Sequence, residues 1–79
     1  MSKVLTYKIV HNGYKINYVH TMEEVEEYIN KVLDGYRHLN PVKVMDRKFK
    51  SGSNVTRIVR YIYDTIYEED FLIDYTERS

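Results

Sequence analysis

The side chains here that could do chemistry are three histidines, two carboxylate clusters, a small glycine loop and a basic stretch, within 79 residues. A metal or general-base site on a helix needs its ligands three or four residues apart, on one face. His11, His20 and His38 show no such spacing, and the lack of cysteine excludes Cys/His zinc sites. Glu23, Glu24, Glu26 and Glu27 crowd one short segment, where carboxylates suit the start of a helix and face solvent. Glu68-Glu69-Asp70 is too short, and lacks the ligand alternation, for a calcium loop. Ser51-Gly52-Ser53-Asn54 could offer amides to a phosphate but lacks the spacing of a phosphate-binding loop. It reads as a hairpin turn. No nucleophile–base pair or acid pair stands out. The chain is expected to be no enzyme, with no cofactor, no metal and no small-molecule substrate.

The basic stretch carries more information. Lys43, Arg47, Lys48, Lys50, Arg57 and Arg60 gather in one region, with Phe49, Tyr61 and Tyr63 among them. Cations with interleaved rings suit single-stranded nucleic acid, through phosphate contact and stacking. The formal net charge is nevertheless zero. By segment it runs +3 over residues 1–20, −4 over 21–35, +6 over 36–60 and −5 over 61–79. Acidic regions elsewhere repel a polyanion. The plainer reading is a basic hairpin lying beside an acidic last strand and helix.

Tyrosine is the other unusual feature: nine residues, with no Trp, Ala or Gln. An apolar ring with a polar tip suits half-buried surfaces and interfaces. Tyr7, Tyr18 and Tyr28 are expected in the core. Tyr61, Tyr63, Tyr67, Phe71 and Tyr75 are expected on an open face as a protein-binding surface. Abundant Tyr, Ile, Asn and Lys without Ala points to an AT-rich genome, such as a Firmicute, its phage or an archaeal virus.

The elements that would position these residues follow from patterning. Asn12-Gly13 is a strong hairpin signal, because a type I′ turn needs positive φ twice. A two-residue turn there would pair His11 with Tyr14, Ile9 with Ile16, Tyr7 with Tyr18 and Leu5 with His20. Leu5, Tyr7, Ile9, Tyr14, Ile16 and Tyr18 would then share a face. Thr21 and Glu24 form a capping box. Met22, Val25, Tyr28, Ile29, Val32, Leu33 and Tyr36 recur at helical spacing over 22–35, with Gly35 as a left-handed cap. Asn40-Pro41 breaks the chain before a basic strand over 42–50. Residues 54–67 fit a helical period, yet their Val, Ile, Thr and Tyr favour a strand. Glu68-Glu69-Asp70 would be a turn pairing Tyr67 with Phe71, Thr65 with Ile73 and Tyr63 with Tyr75. It would also set Asp64 against Asp74.

The expected fold is one α+β domain over residues 1–79. Its order is ββαβββ, an antiparallel sheet with one amphipathic helix on one face. The alternative, ββαβα, makes 54–67 a second helix. A chain this short buries little more than ~60% of its unfolded surface. One helix cannot cover both faces of the sheet. With Ile58, Ile62, Ile66 and Leu72 toward the helix, alternation puts the late tyrosines outside.

The N-terminus is polar almost at once, unlike a signal peptide, and no apolar run could span a membrane. A soluble cytoplasmic protein is expected, in the host cytoplasm if viral. The profile resembles that of small virus-encoded proteins that bind and block a host factor, such as anti-CRISPR proteins. The likeness lies in size, composition and lack of catalytic residues, and covers no particular positions. The expected function is a non-enzymatic protein-binding module of this anti-defence kind. Its partner would be a second copy, a host protein or both. The alternative is a small nucleic-acid-binding protein using the basic hairpin.

Overall fold

A computed structural model describes residues 6–64 and 67–77. The chain forms β1 (Tyr7–His11), β2 (Lys15–Val19), α1 (Met22–Leu33), a 3-10 turn (Asp34–Tyr36), β3 (Lys43–Ser51), β4 (Asn54–Ile62) and β5 (Glu68–Thr76). All pairings are antiparallel, in the order β2-β1-β5-β4-β3. This is the ββαβββ, α+β fold that the patterning implies. Residues 54–62 are strand, not helix.

The capping box is present: the Thr21 hydroxyl accepts from the Glu24 amide, and the Glu24 carboxylate accepts from the Thr21 amide. Val25 and Ile29 are the buried stripe of α1. They meet Tyr7 and Ile9 of β1, Val55 and Val59 of β4, and Phe71, Ile73 and Tyr75 of β5 in one core. Each fully buried aliphatic or aromatic side chain in such a core contributes roughly 1.5–3 kcal/mol. Gly35 does not supply a left-handed cap. It lies within the 3-10 turn, and positive φ among the glycines is confined to Gly13 and Gly52.

Three expectations of register are corrected. In the first hairpin Asn12 and Gly13 have positive φ, 54° and 80°, but the ladder resumes with His11 opposite Lys15. Tyr14 thus becomes a third loop residue, and Val10 rather than Ile9 faces Ile16. A one-residue shift reverses faces. Tyr7 and Ile9 point toward the helix, while Ile16 and Tyr18 are turned away from it. The turn is fastened by β5: Asn12 N–H donates to Asp70 O, and Asp70 N–H donates to Asn12 Oδ1, both at 2.8 Å. Leu5 lies outside the described residues.

The last hairpin turns earlier than expected. β4 ends at Ile62, which pairs with Glu68, so Glu68-Glu69-Asp70 begins β5 instead of forming a turn. Asp64 and Asp74 are therefore not opposed. Thr65 and Ile66 lie outside the described residues.

The third correction is parity. Val55, Val59, Phe71, Ile73 and Tyr75 face the helix, while Ile58 and Leu72 face away. Charge is the reason. Arg60, Glu68, Asp70 and Asp74 share the parity of Ile58 and Leu72, and turning those residues inward would bury four charges.

Candidate docking surface

Five strands spaced about 4.8 Å apart place the outer two about 19 Å from each other, whereas a helix with its side chains is about 10 Å across. One helix thus covers part of one face. The helix-side residues of β3, Val44, Asp46, Lys48 and Lys50, are all exposed.

Beneath the helix the covered face holds a polar network. Glu69 is only 8% exposed. Its Oε1 takes a hydrogen bond from His11 Nε2 at 2.5 Å and one from Asn12 Nδ2 at 3.2 Å; its Oε2 takes one from Tyr36 O–H at 2.5 Å. Tyr28 O–H lies 3.4 Å from His11 Nδ1 and accepts from Asn17 Nδ2 at 3.0 Å. The His11 ring lies flat on Phe71, centroids 4.9 Å apart. Burial alone would raise the Glu69 pKa, but the bonds from Tyr36, His11 and Asn12 outweigh it and hold the carboxyl below its usual range. The same carboxylate, with burial, pushes the Tyr36 phenol up to about 12. These groups are saturated by one another. The network fastens the helix exit to the sheet. His20 and His38 are exposed and lie outside it. Among the described residues no group of His, Asp or Glu is placed to hold a metal ion.

Among the described residues no helix lies on the opposite face. A row crosses all five strands through paired positions: Ile16, Val10, Leu72, Ile58 and Arg47. The next row reads Tyr18, Lys8, Asp74, Thr56 and Phe49. Ile16 is 51%, Tyr18 63% and Phe49 52% exposed. Val10, Ile58 and Leu72, with Gly13 and the Arg60–Asp70 pair, line a shallow hollow of about 200 Å³. Some charges of this face are matched internally, while Lys8, Lys43 and Arg47 form no ion pair among the described residues. Arg60 Nε lies 2.5 Å from Asp70 and 3.2 Å from Glu68, and Thr56 donates to Asp74 at 2.6 Å.

None of the five aromatics expected on the open face lies there. Phe71 is fully buried, and Tyr75 is 9% exposed against Tyr7, ring centroids 4.8 Å apart. Tyr61 is half-buried, edge-on to Phe71. Tyr63 stacks on Tyr36 at 4.6 Å, and exposed Tyr67 meets Tyr36 edge-on, so both tie the β4–β5 loop to the helix exit. Of the tyrosines expected in the core, Tyr7 is there and Tyr28 packs against it, but Tyr18 is outside. Ile16, Tyr18, Ile58 and Leu72 take the place of the late aromatics on the open face. The signal was available: acids at 68, 70 and 74 mark the outward parity of β5.

The basic set is split. Lys43, Arg47 and Arg60 lie on the open face; Lys48, Lys50 and Arg57 lie on the helix side. Arg57 grips Asp46 through Nε and Nη2, at 2.9 and 2.7 Å, which lowers the Asp46 pKa. Lys50 pairs with Glu77 at 2.5 Å. Among the described residues Lys43, Arg47 and Lys48 form no direct ion pair, although the charge of Lys48 helps lower the Asp46 and Glu77 pKa values.

No protein-family model, no curated protein and no solved structure matches this chain. Among the described residues no helix is long and apolar enough to cross a membrane.

Proposed function

We propose that this chain is a non-enzymatic protein-binding module that docks through the uncovered face of its sheet. The observation that carries this reading is the row Ile16, Val10, Leu72 and Ile58, apolar over four strands with none of the described elements above it, and flanked by Tyr18 and Phe49. An apolar strip with aromatic edges and charged residues around it has the make-up of an interface core with a polar rim. A second copy is the simplest partner, and a host factor blocked by a virus-encoded inhibitor is the instance that size and composition suggest.

Nucleic acid receives less support, because the six basic residues divide between two faces, three are held by carboxylates, and three acids share the open face. The test is a photo-crosslinking residue at position 16 or 49, with position 27 on the exposed side of α1 as control. A single adduct, to a second copy or to one other protein, formed only from 16 and 49 is the expected result. Equal adducts from 27, or none from the face, would remove the reading.

A further inference from the structure

The outer edge of β3 is a separate surface. β3 is the last strand of the sheet, nine residues in unbroken register with β4, and none of the described strands pairs with its other side. Such an edge presents a row of backbone donors and acceptors ready to accept another strand. Two features say which strand. Lys43 and Arg47 project to one face and form no ion pair among the described residues; Lys48 projects to the other, in no direct ion pair though its charge reaches Asp46 and Glu77. Exposed Val44 lies between Lys43 and Arg47, and exposed Phe49 follows Lys48, one on each face. The fold already shows the complement, since basic β4 receives acidic β5, with Arg60 gripped by Asp70 and Glu68. β3 repeats the basic pattern one strand further out.

Lysine on an edge strand also guards against pairing with copies of itself. Here both effects favour one kind of occupant: a second basic β3 is repelled and an acidic strand is attracted.

We infer that the β3 edge accepts an acidic extended segment of a partner protein by strand addition, with its carboxylates opposite Lys43, Arg47 and Lys48. This goes beyond the docking face proposed above and does not depend on it. The test uses a fluorescein-labelled nine-residue peptide of Glu, Asp, Val and Thr, net charge about −4, followed by anisotropy at low salt and by amide resonances. Binding should shift the amides of residues 43–51. A fully N-methylated peptide of equal charge should bind at least about tenfold more weakly, as should the parent peptide to Arg47→Glu/Lys48→Glu protein. If that variant fails to fold, Lys43→Glu, at the strand's end, carries the same test. Leu72→Ala, on the uncovered face, should leave peptide binding unchanged. Absent binding, equal binding of the N-methylated peptide, shifts confined to β1 and β5, or equal competition by an oligothymidylate would each overturn the inference.

Discussion

Phe71 and Leu72 are neighbours in one strand and belong to different surfaces. Phe71 lies under the helix with no exposure, sandwiched by His11 and edged by Tyr28 and Tyr61. Leu72 sits at the centre of the opposite face, flanked by Val10 and Ile58, with none of the described elements above it. Both are large and apolar, so hydrophobicity does not separate them. What separates them is the company of their parity. The Phe71 side carries Val55, Val59, Ile73 and Tyr75 with one buried carboxylate, Glu69, bonded by His11, Asn12 and Tyr36. The Leu72 side carries Glu68, Asp70 and Asp74, which must stay near water. The covered face holds the core, and the opposite face is the one proposed above as the docking surface.

The sharpest way to break this comparison is to truncate the two neighbours in turn. Phe71→Ala should cost about 3–5 kcal/mol, as cavities at fully buried aromatics do. That is a large share of what a small domain has, roughly 5–15 kcal/mol at most. Leu72→Ala should cost roughly 1 kcal/mol and act on partner binding instead. Urea denaturation followed by circular dichroism separates the two; equal losses would undo the assignment of faces.

Glu69→Ala comes next. It strips the partner from the Tyr36 hydroxyl and His11 at a buried site, and should cost about 2–3 kcal/mol in the same assay. A cost near zero would mean that the network does not hold the helix exit.

The network also sets two pH limbs. Glu69 is held below its usual range when folded, so its contribution is full above the ordinary Glu value of 4.5 and is lost as pH falls through the folded value. Tyr36 runs the other way. Its folded value of about 12 exceeds the ordinary 10.0, so its contribution is full below pH 10 and is lost between 10 and 12. Stability measured against pH should therefore lose part of its acid slope in Glu69→Gln. Tyr36→Phe should lose part of the alkaline slope. Unchanged slopes in both variants would detach the network from folding.

The smallest effect is expected at Arg57→Ala. Its partner Asp46 is half exposed, so water screens the pair, and the loss should stay under about 1 kcal/mol and shrink further in salt. A larger, salt-independent loss would show that β3 is anchored to the covered face more firmly than its exposure indicates.

Much of the architecture is local, and local signals are legible in a chain. Thr21 and Glu24 start the helix because a hydroxyl and a carboxylate satisfy the first amides wherever that sequence stands. Asn12-Gly13 makes a turn because those residues tolerate positive φ. Gly52, at φ 61°, opens the Gly52-Ser53 turn for the same reason. β-branched residues make 54–62 a strand.

What the sequence left open was which way each strand faces. Ile58 and Val59, or Leu72 and Ile73, are interchangeable by hydrophobicity, and a strand offers them to opposite sides. That choice fell to contacts remote in sequence. Asn12 bonds to Asp70, which fixes the first turn one residue longer than its local signal implies. Glu69 has no local reason to be buried. It becomes tolerable inside only because His11, Asn12 and Tyr36, 58, 57 and 33 residues away, bring it donors. Composition and spacing alone determined a five-stranded sheet with one helix. The acids at 68, 70 and 74 already marked the outward side of β5, and only the tertiary structure decided the register of the first hairpin and the burial of Glu69, because both rest on hydrogen bonds between residues far apart in the chain.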